Sequence, residues 1–131
     1  ASPFAKEVIG VELNHDAVQD AIGNARRNNI NNITFYENDA SRFMLQVADA
    51  GEKIDVVFMD PPRSGSTPVF LQAMFRLNPK TVVYISCSPD SLANDLELIT
   101  KHDYEVKHAI PVDMFPFTRS VETIVLLQKK K

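Results

Sequence analysis

Apolar positions along the chain fall into two alternating rhythms, short continuous runs and longer stretches in which apolar residues return every three or four positions. Val8-Ile9-Gly10-Val11 is a run of the first kind, ending in Glu12, and predicts a short buried strand. Ala17, Val18, Ala21, Ile22 and Ala25 then recur at helical spacing behind Asn14, which can cap a helix; the asparagines at 28, 29, 31 and 32 end it. Residues 33–37 read as a second strand, followed by Asn38 and Asp39. A helix carrying Phe43, Met44, Val47 and Ala48 comes next and stops at Gly51. Residues 55–60 predict a third buried strand, which Pro61 and Pro62 cannot continue. Thr67 caps and Pro68 opens a helix with Val69, Phe70, Ala73, Met74 and Leu77 on one face, ended by Asn78-Pro79.

Val82, Val83, Tyr84 and Ile85 form the run expected of a strand buried on both faces, and Cys87 sits at its carboxyl end. Ser88 fits the N-cap of the following helix, Pro89 its first position and Asp90 its acid-favouring first turn; Leu92, Leu96 and Ile99 mark the inward stripe. Residues 104–113 predict a further strand with Pro111 near its end, residues 114–119 a loop, and residues 121–128 a last strand before a lysine tail. Strands alternating with helices imply an α/β domain on a parallel, doubly wound sheet, modified at one edge by the final strands. One domain over residues 1–131 is expected, with no internal repeat.

Composition narrows the class without choosing a function. A content of 44% hydrophobic and 24% charged residues is that of an ordinary globular protein, long enough to bury a core. The net charge of −3 excludes a general polyanion clamp, so any nucleic-acid contact has to be local or come from outside this chain. A single cysteine rules out an internal disulfide framework and fits a reducing compartment; with no signal peptide and no long uncharged apolar run, a soluble cytoplasmic protein is expected. His15, His102 and His108 show no metal-ligand spacing, and no metal is expected.

The candidate chemistry gathers at strand ends. Glu12, Asp39 and Asp60 close three successive strands, and in a doubly wound sheet such ends line one crevice where an acid can accept hydrogen bonds from a ribose. A nucleoside-bearing cofactor is therefore plausible, although strand-end acids also simply cap the next helix. The four glycines form neither G-x-G-x-x-G nor a phosphate loop. Asp60-Pro61-Pro62 is sharper, since two prolines hold the carboxylate on a rigid turn. Acid-Pro-Pro turns are known from nitrogen methyltransferases, but an aromatic residue generally follows and here Arg63 does. Cys87, between a strand's carboxyl end and a helix N-terminus, is placed to act as a nucleophilic thiolate or else to pack as a small buried hydrophobe. Glu122, among Val121, Ile124, Val125 and Leu126, is either a half-buried general base or a strand-start acid facing solvent.

Asp60-Pro61-Pro62-Arg63, Ser86-Cys87-Ser88-Pro89 and Val121-Glu122-Thr123, in this order, resemble the RNA uracil-5-methyltransferase family, which uses S-adenosylmethionine. Val8-Ile9-Gly10-Val11-Glu12, Asn24-Ala25-Arg26 and Asp113-Met114-Phe115-Pro116 extend the resemblance over essentially the whole chain. It implies a Rossmann-like class I methyltransferase sheet flanked by helices. It also implies a carboxyl-terminal part of that domain, lacking the first strand and its glycine-rich loop, and weak or inactive alone. Cys87 matches the nucleophile that adds to C6 of uracil and Glu122 the base that removes the C5 proton; Glu12, Asp39 and Asp60 match cofactor-contacting positions. The implied partner is ribosomal or transfer RNA, gripped mainly by regions absent from this chain. The missing strand would lie between those ending at Glu12 and Asp60, so these two are expected either to pair directly or to leave a gap filled by another chain, since an open apolar edge invites association. A nitrogen methyltransferase working through Asp60-Pro61-Pro62, and a non-catalytic α/β interaction module, are the competing readings.

Overall fold

The computed structural model describes residues 1–118 and 120–131; Arg119, at the end of the loop predicted over residues 114–119, lies outside the described residues. A 3-10 turn (Ser2–Phe4) precedes β1 (Val8–Glu12), α1 (His15–Arg27), β2 (Ile33–Glu37), α2 (Ala40–Asp49) and β3 (Val56–Met59). There follow α3 (Pro68–Leu77), β4 (Thr81–Ser86), α4 (Pro89–Lys101), β5 (Tyr104–Val112) and β6 (Glu122–Lys129). The chain forms two compact units, Ala1–Gln46 and Val47–Lys131, with the division inside α2.

In the first unit β1 and β2 run parallel, from Val8 opposite Ile33 to Glu12 opposite Glu37. Gly10 lies under Phe35: a Cβ there would come within 2.5 Å of the ring, so only glycine lets the ring lie against the β1 backbone. The N-terminus of α1 is capped as predicted, the Ala17 N–H donating to Asn14 Oδ1 at 3.0 Å, and Arg26 and Arg27 stand in the last turn, where cations are favoured. Val18 is the buried residue of this helix.

The second unit is a four-stranded sheet in the order β3-β4-β6-β5. β3 and β4 are parallel, whereas β6 lies between β4 and β5 and runs antiparallel to both. The register aligns Val57 with Val82, Met59 with Tyr84, Val82 with Leu127 and Tyr84 with Val125, so these buried side chains share one face. Leu71, Ala73, Met74 and Leu77 of α3 and Leu92 and Ile99 of α4 complete the core. Burying the five larger of these side chains, each worth about 1.5–3 kcal/mol when fully removed from water, is what fixes these helices to the sheet. The opposite face carries exposed Val56, Phe58 and Ile124.

Two local expectations change. Val69 is exposed and Leu71 takes its place, because the inward stripe of α3 runs through residues 71, 74 and 77 rather than starting in the first turn. Asp95, a charged residue, joins Leu92 and Ile99 on the buried side of α4. Pro111 lies near the end of β5 as expected, paired with Thr123 one residue before Val112; β5 is an edge strand, where a residue without an N–H is tolerated. As for the alternatives at the strands ending in Glu12 and Asp60, β1 and β3 do not pair: they belong to different sheets, and each is an edge strand of its own.

Candidate active site

Glu12 ends β1 directly opposite Glu37 at the end of β2, and Asp39 follows two residues later. Asn14 N–H donates to Glu12 Oε1 at 2.8 Å, and Arg42 N–H donates to Asp39 Oδ1 at 2.9 Å. Each acid thus does the capping work that strand-end acids commonly do, through one of its two carboxylate oxygens. His15 Nδ1 lies 2.7 Å from Glu37 Oε2. All of these side chains are exposed, so the carboxyl end of this unit is an open row of acceptors. Glu37 was not singled out from sequence; only the β1–β2 register sets it opposite Glu12.

Asp60, Cys87 and Glu122 all belong to the second unit and stand at one end of its sheet. Met59 opposite Tyr84 is the last pair of the parallel ladder, and Asp60 is the next residue, with an exposed side chain. Ser86 opposite Thr123 closes the antiparallel β4–β6 ladder. Cys87, in the bend that follows Ser86, and Glu122, which precedes Thr123, each lie one residue beyond this last pair, at the same end of the sheet. Asp60 is held by the same end of β4, through β3.

The surroundings of this pair are built by the turn between β4 and α4. Ser86, 4% exposed, accepts the Ser88 N–H at 3.1 Å and donates its hydroxyl to the Ser88 carbonyl at 3.0 Å. The backbone is thereby tied on both sides of Cys87, whose free thiol is partly buried. Ser88 occupies the N-cap position of α4 as predicted but makes no side-chain cap bond; its own N–H donates to the Ser86 hydroxyl. Glu122 is partly buried, and its Oε2 is shut off from solvent with no hydrogen-bond partner among the described residues. A dry, unpartnered carboxylate oxygen is costly, and such groups in native structures tend to serve chemistry.

Beyond Asp60 the chain is held by a second device. Pro61 and Pro62 lead into a tight turn in which the Gly65 N–H donates to the Pro62 carbonyl at 2.9 Å, with Gly65 at φ +84°. The Ser66 N–H then donates to Asp95 Oδ2 at 2.7 Å, and the Tyr84 hydroxyl donates to the same oxygen at 2.6 Å. Burial pushes the Tyr84 hydroxyl well above the ordinary tyrosine range, and the adjacent Asp95 adds to the shift. None of Ser86, Tyr84 and Asp95 was singled out from sequence. Asp95 did carry a signal, lying three residues after Leu92 and four before Ile99 on the apolar stripe of a helix.

Among the described residues no group of histidine, cysteine and acidic side chains could hold a metal ion, and no helix is long and apolar enough to cross a membrane. A family model described as a methyltransferase domain matches residues 2–130. The chain belongs to this methyltransferase family. An uncharacterized RNA methyltransferase of Listeria innocua is 42% identical over 126 residues, which are 96% of this chain and 28% of that protein. One from Clostridium acetobutylicum is 42% identical over 130 residues, 99% of this chain and 28% of that protein. The methyltransferase chain described here thus spans 28% of the length of these curated relatives. Among solved structures, the Pyrococcus abyssi tRNA (uracil-54, C5)-methyltransferase, in complex with S-adenosyl-L-homocysteine, aligns with a TM-score of 0.80 at 30% identity. The alignment covers 92% of this chain and 28% of that one. An rRNA methylase from Streptococcus thermophilus, at 11% identity and a TM-score of 0.72 over 99% of this chain and 77% of that one, shares the fold. The fold is the Rossmann-like α/β fold of class I methyltransferases, as the motifs implied.

Proposed function

We propose that this chain is the catalytic part of an S-adenosylmethionine-dependent RNA methyltransferase that methylates C5 of a uridine through a covalent Cys87 adduct. The observation that supports the reading is the β4–β6 register, which brings Cys87 and Glu122 to one end of the sheet, each one residue beyond the last pair, together with the dry, unpartnered Oε2 of Glu122. The similarity to the tRNA (uracil-54, C5)-methyltransferase of Pyrococcus abyssi and to the two bacterial RNA methyltransferases supports an RNA uridine as substrate, in ribosomal or transfer RNA.

Uracil C5 is a poor nucleophile. Cys87 adds through sulfur to C6, and the ring electrons move toward C5 and the C4 carbonyl, giving an enolate whose C5 can take a methyl group. Glu122 then accepts the C5 proton; the C–H electrons restore the C5–C6 double bond and expel the Cys87 thiolate. The cofactor supplies the electrophilic methyl group. Within the first unit Glu12 and Asp39 fit such a cofactor by type, since exposed carboxylates at strand ends are acceptors for ribose hydroxyls; Asp60, in the second unit, is an exposed acceptor of the same kind. The target uridine has to be unstacked to reach a partly buried thiol, which favours a loop or an extruded nucleotide.

The test uses the intact protein with S-adenosylmethionine and RNA carrying 5-fluorouridine, whose fluorine cannot leave as a proton. A methylated covalent complex at Cys87, visible on a denaturing gel and by mass spectrometry and absent in Cys87→Ser, is expected. Methyl transfer to ordinary RNA by Cys87→Ala would overturn the reading and move the chemistry to the Asp60-Pro61-Pro62 turn.

A further inference from the structure

We propose that Asp95 is a positioning residue: reaching from α4, its carboxylate clamps the turn that follows Asp60 to the strand that ends at Cys87. The inference rests on the proposed Cys87 chemistry for its functional consequence, and on geometry alone for the clamp.

Three segments meet at a single oxygen. Asp95 Oδ2 accepts the Ser66 N–H at 2.7 Å and the Tyr84 hydroxyl at 2.6 Å. Tyr84 is 0% exposed on β4, three residues before Cys87, while Ser66 directly follows the turn that Gly65 closes on Pro62. Asp95 itself, 7% exposed, stands on the helix that opens two residues after Cys87. The contact is close on every side: a Cβ on Gly65 would lie 3.0 Å from Asp95 Oδ2 and 3.2 Å from the Ser91 Cβ, so α4 is seated directly on the turn.

Each end of the segment between β3 and α3 is therefore fixed to the elements around the thiol. At one end Met59 is paired with Tyr84; at the other Ser66 is tied, through Asp95, to the Tyr84 side chain. Asp60 and Arg63 lie between these anchors. Six residues spanning two fixed points, two of them prolines and one a glycine in the left-handed region, have few conformations left. A buried carboxylate accepting two short hydrogen bonds is a strong tie, because charge-assisted bonds are about twice as strong as neutral ones. Nothing about folding the core requires an acid here, since an aliphatic residue would continue the Leu92 and Ile99 stripe. Holding the turn does require a hydrogen-bond acceptor.

The experiment is done on the intact protein with Asp95→Ala, Asp95→Asn and Tyr84→Phe. Amide exchange is read for the peptide containing Ser66, and kcat and KM are read for RNA methylation. In Asp95→Ala the Ser66 amide should exchange at least about tenfold faster, the loss expected for a hydrogen bond to a charged group. Its kcat should fall up to about 100-fold, as when reacting groups are displaced by an ångström, with KM for RNA unchanged. Asp95→Asn, which keeps an acceptor of the same shape, should recover most of both losses, and Tyr84→Phe should show a smaller version of them. Unchanged Ser66 exchange, or a folded Asp95→Ala enzyme with wild-type kcat, would overturn the clamp. If the wild-type protein proves not to methylate uridine, the exchange comparison still decides whether Asp95 holds the turn, so the two failures are told apart.

Discussion

Gly65→Ala and Gly51→Ala form a controlled pair in which one substitution meets Asp95 and the other meets nothing. Both glycines have positive φ, +84° at Gly65 and +71° at Gly51, so alanine is strained at either position. At Gly51 no atom lies within 4 Å of the added Cβ, and the cost is conformational alone, about 1–2 kcal/mol. At Gly65 the Cβ meets Asp95 Oδ2 at 3.0 Å and the Ser91 Cβ at 3.2 Å. Since α4 is packed into the core through Leu92 and Ile99, the helix cannot retreat and the carboxylate has to move off the Ser66 N–H. Losing a hydrogen bond to a charged group adds about 1.5–3 kcal/mol, for a total of about 3–5 kcal/mol at Gly65. For a chain of 131 residues this is a fall in Tm of about 10–20 °C, against about 3–8 °C for Gly51→Ala. Urea denaturation with both variants, and with Gly65→Ala in an Asp95→Ala background, measures the difference directly. In that background Gly65→Ala should cost less than it does in the wild type, keeping only the backbone strain and the contact with the Ser91 Cβ. Equal losses for the two single variants would refute the argument, because they would mean that the Asp95 carboxylate yields freely and fixes nothing.

Gly10→Ala should force the Phe35 ring away from the β1 backbone and cost about 1–3 kcal/mol of overpacking, read by urea denaturation, whereas Gly10→Ala with Phe35→Leu should recover part of it. Burial raises the Tyr104 hydroxyl from 10.0 to about 12. Its folded value lies above its unfolded one, so this stability is fully present below pH 10 and is lost as pH rises toward 12, by about 2–3 kcal/mol. Tyr104→Phe should remove that alkaline loss while costing about 1–2 kcal/mol at neutral pH through the bond donated to the Pro79 carbonyl; equilibrium unfolding at pH 8 to 12 checks both. Glu122→Gln should lower methyl transfer about 10²–10⁴-fold, the usual worth of a general base, and should accumulate a Cys87-linked methylated adduct with ordinary RNA that the wild-type protein does not. Loss of rate without that adduct, on denaturing gels, would remove Glu122 from the proton-transfer step.

What the amino-acid sequence determines by itself here is local. The caps at Asn14 and Thr67, the proline opening α3, the left-handed Asn78 and Gly51 and the apolar runs of β1, β3 and β4 set each element to within a residue or two. These signals act through bonds that close within a few residues, so they can be read without knowing what lies on the other side of the molecule. The strand-end acids and the lone cysteine were legible for the same reason, as was their family resemblance. The tertiary structure alone decided which of them meet. Cys87 and Glu122 are 35 residues apart in sequence and come to the same end of the sheet only because β6 inserts antiparallel beside β4, in a register chosen by burying Val125 and Leu127 against Tyr84 and Val82. Asp95 looked like one more charge on a helix until burial stripped it of water and left Tyr84 and the Ser66 N–H, 11 and 29 residues away, as its hydrogen-bond partners. Periodicity can report that a side chain faces inward, but the partner that makes a buried charge tolerable is supplied by distant segments, and only the packed fold brings them to it.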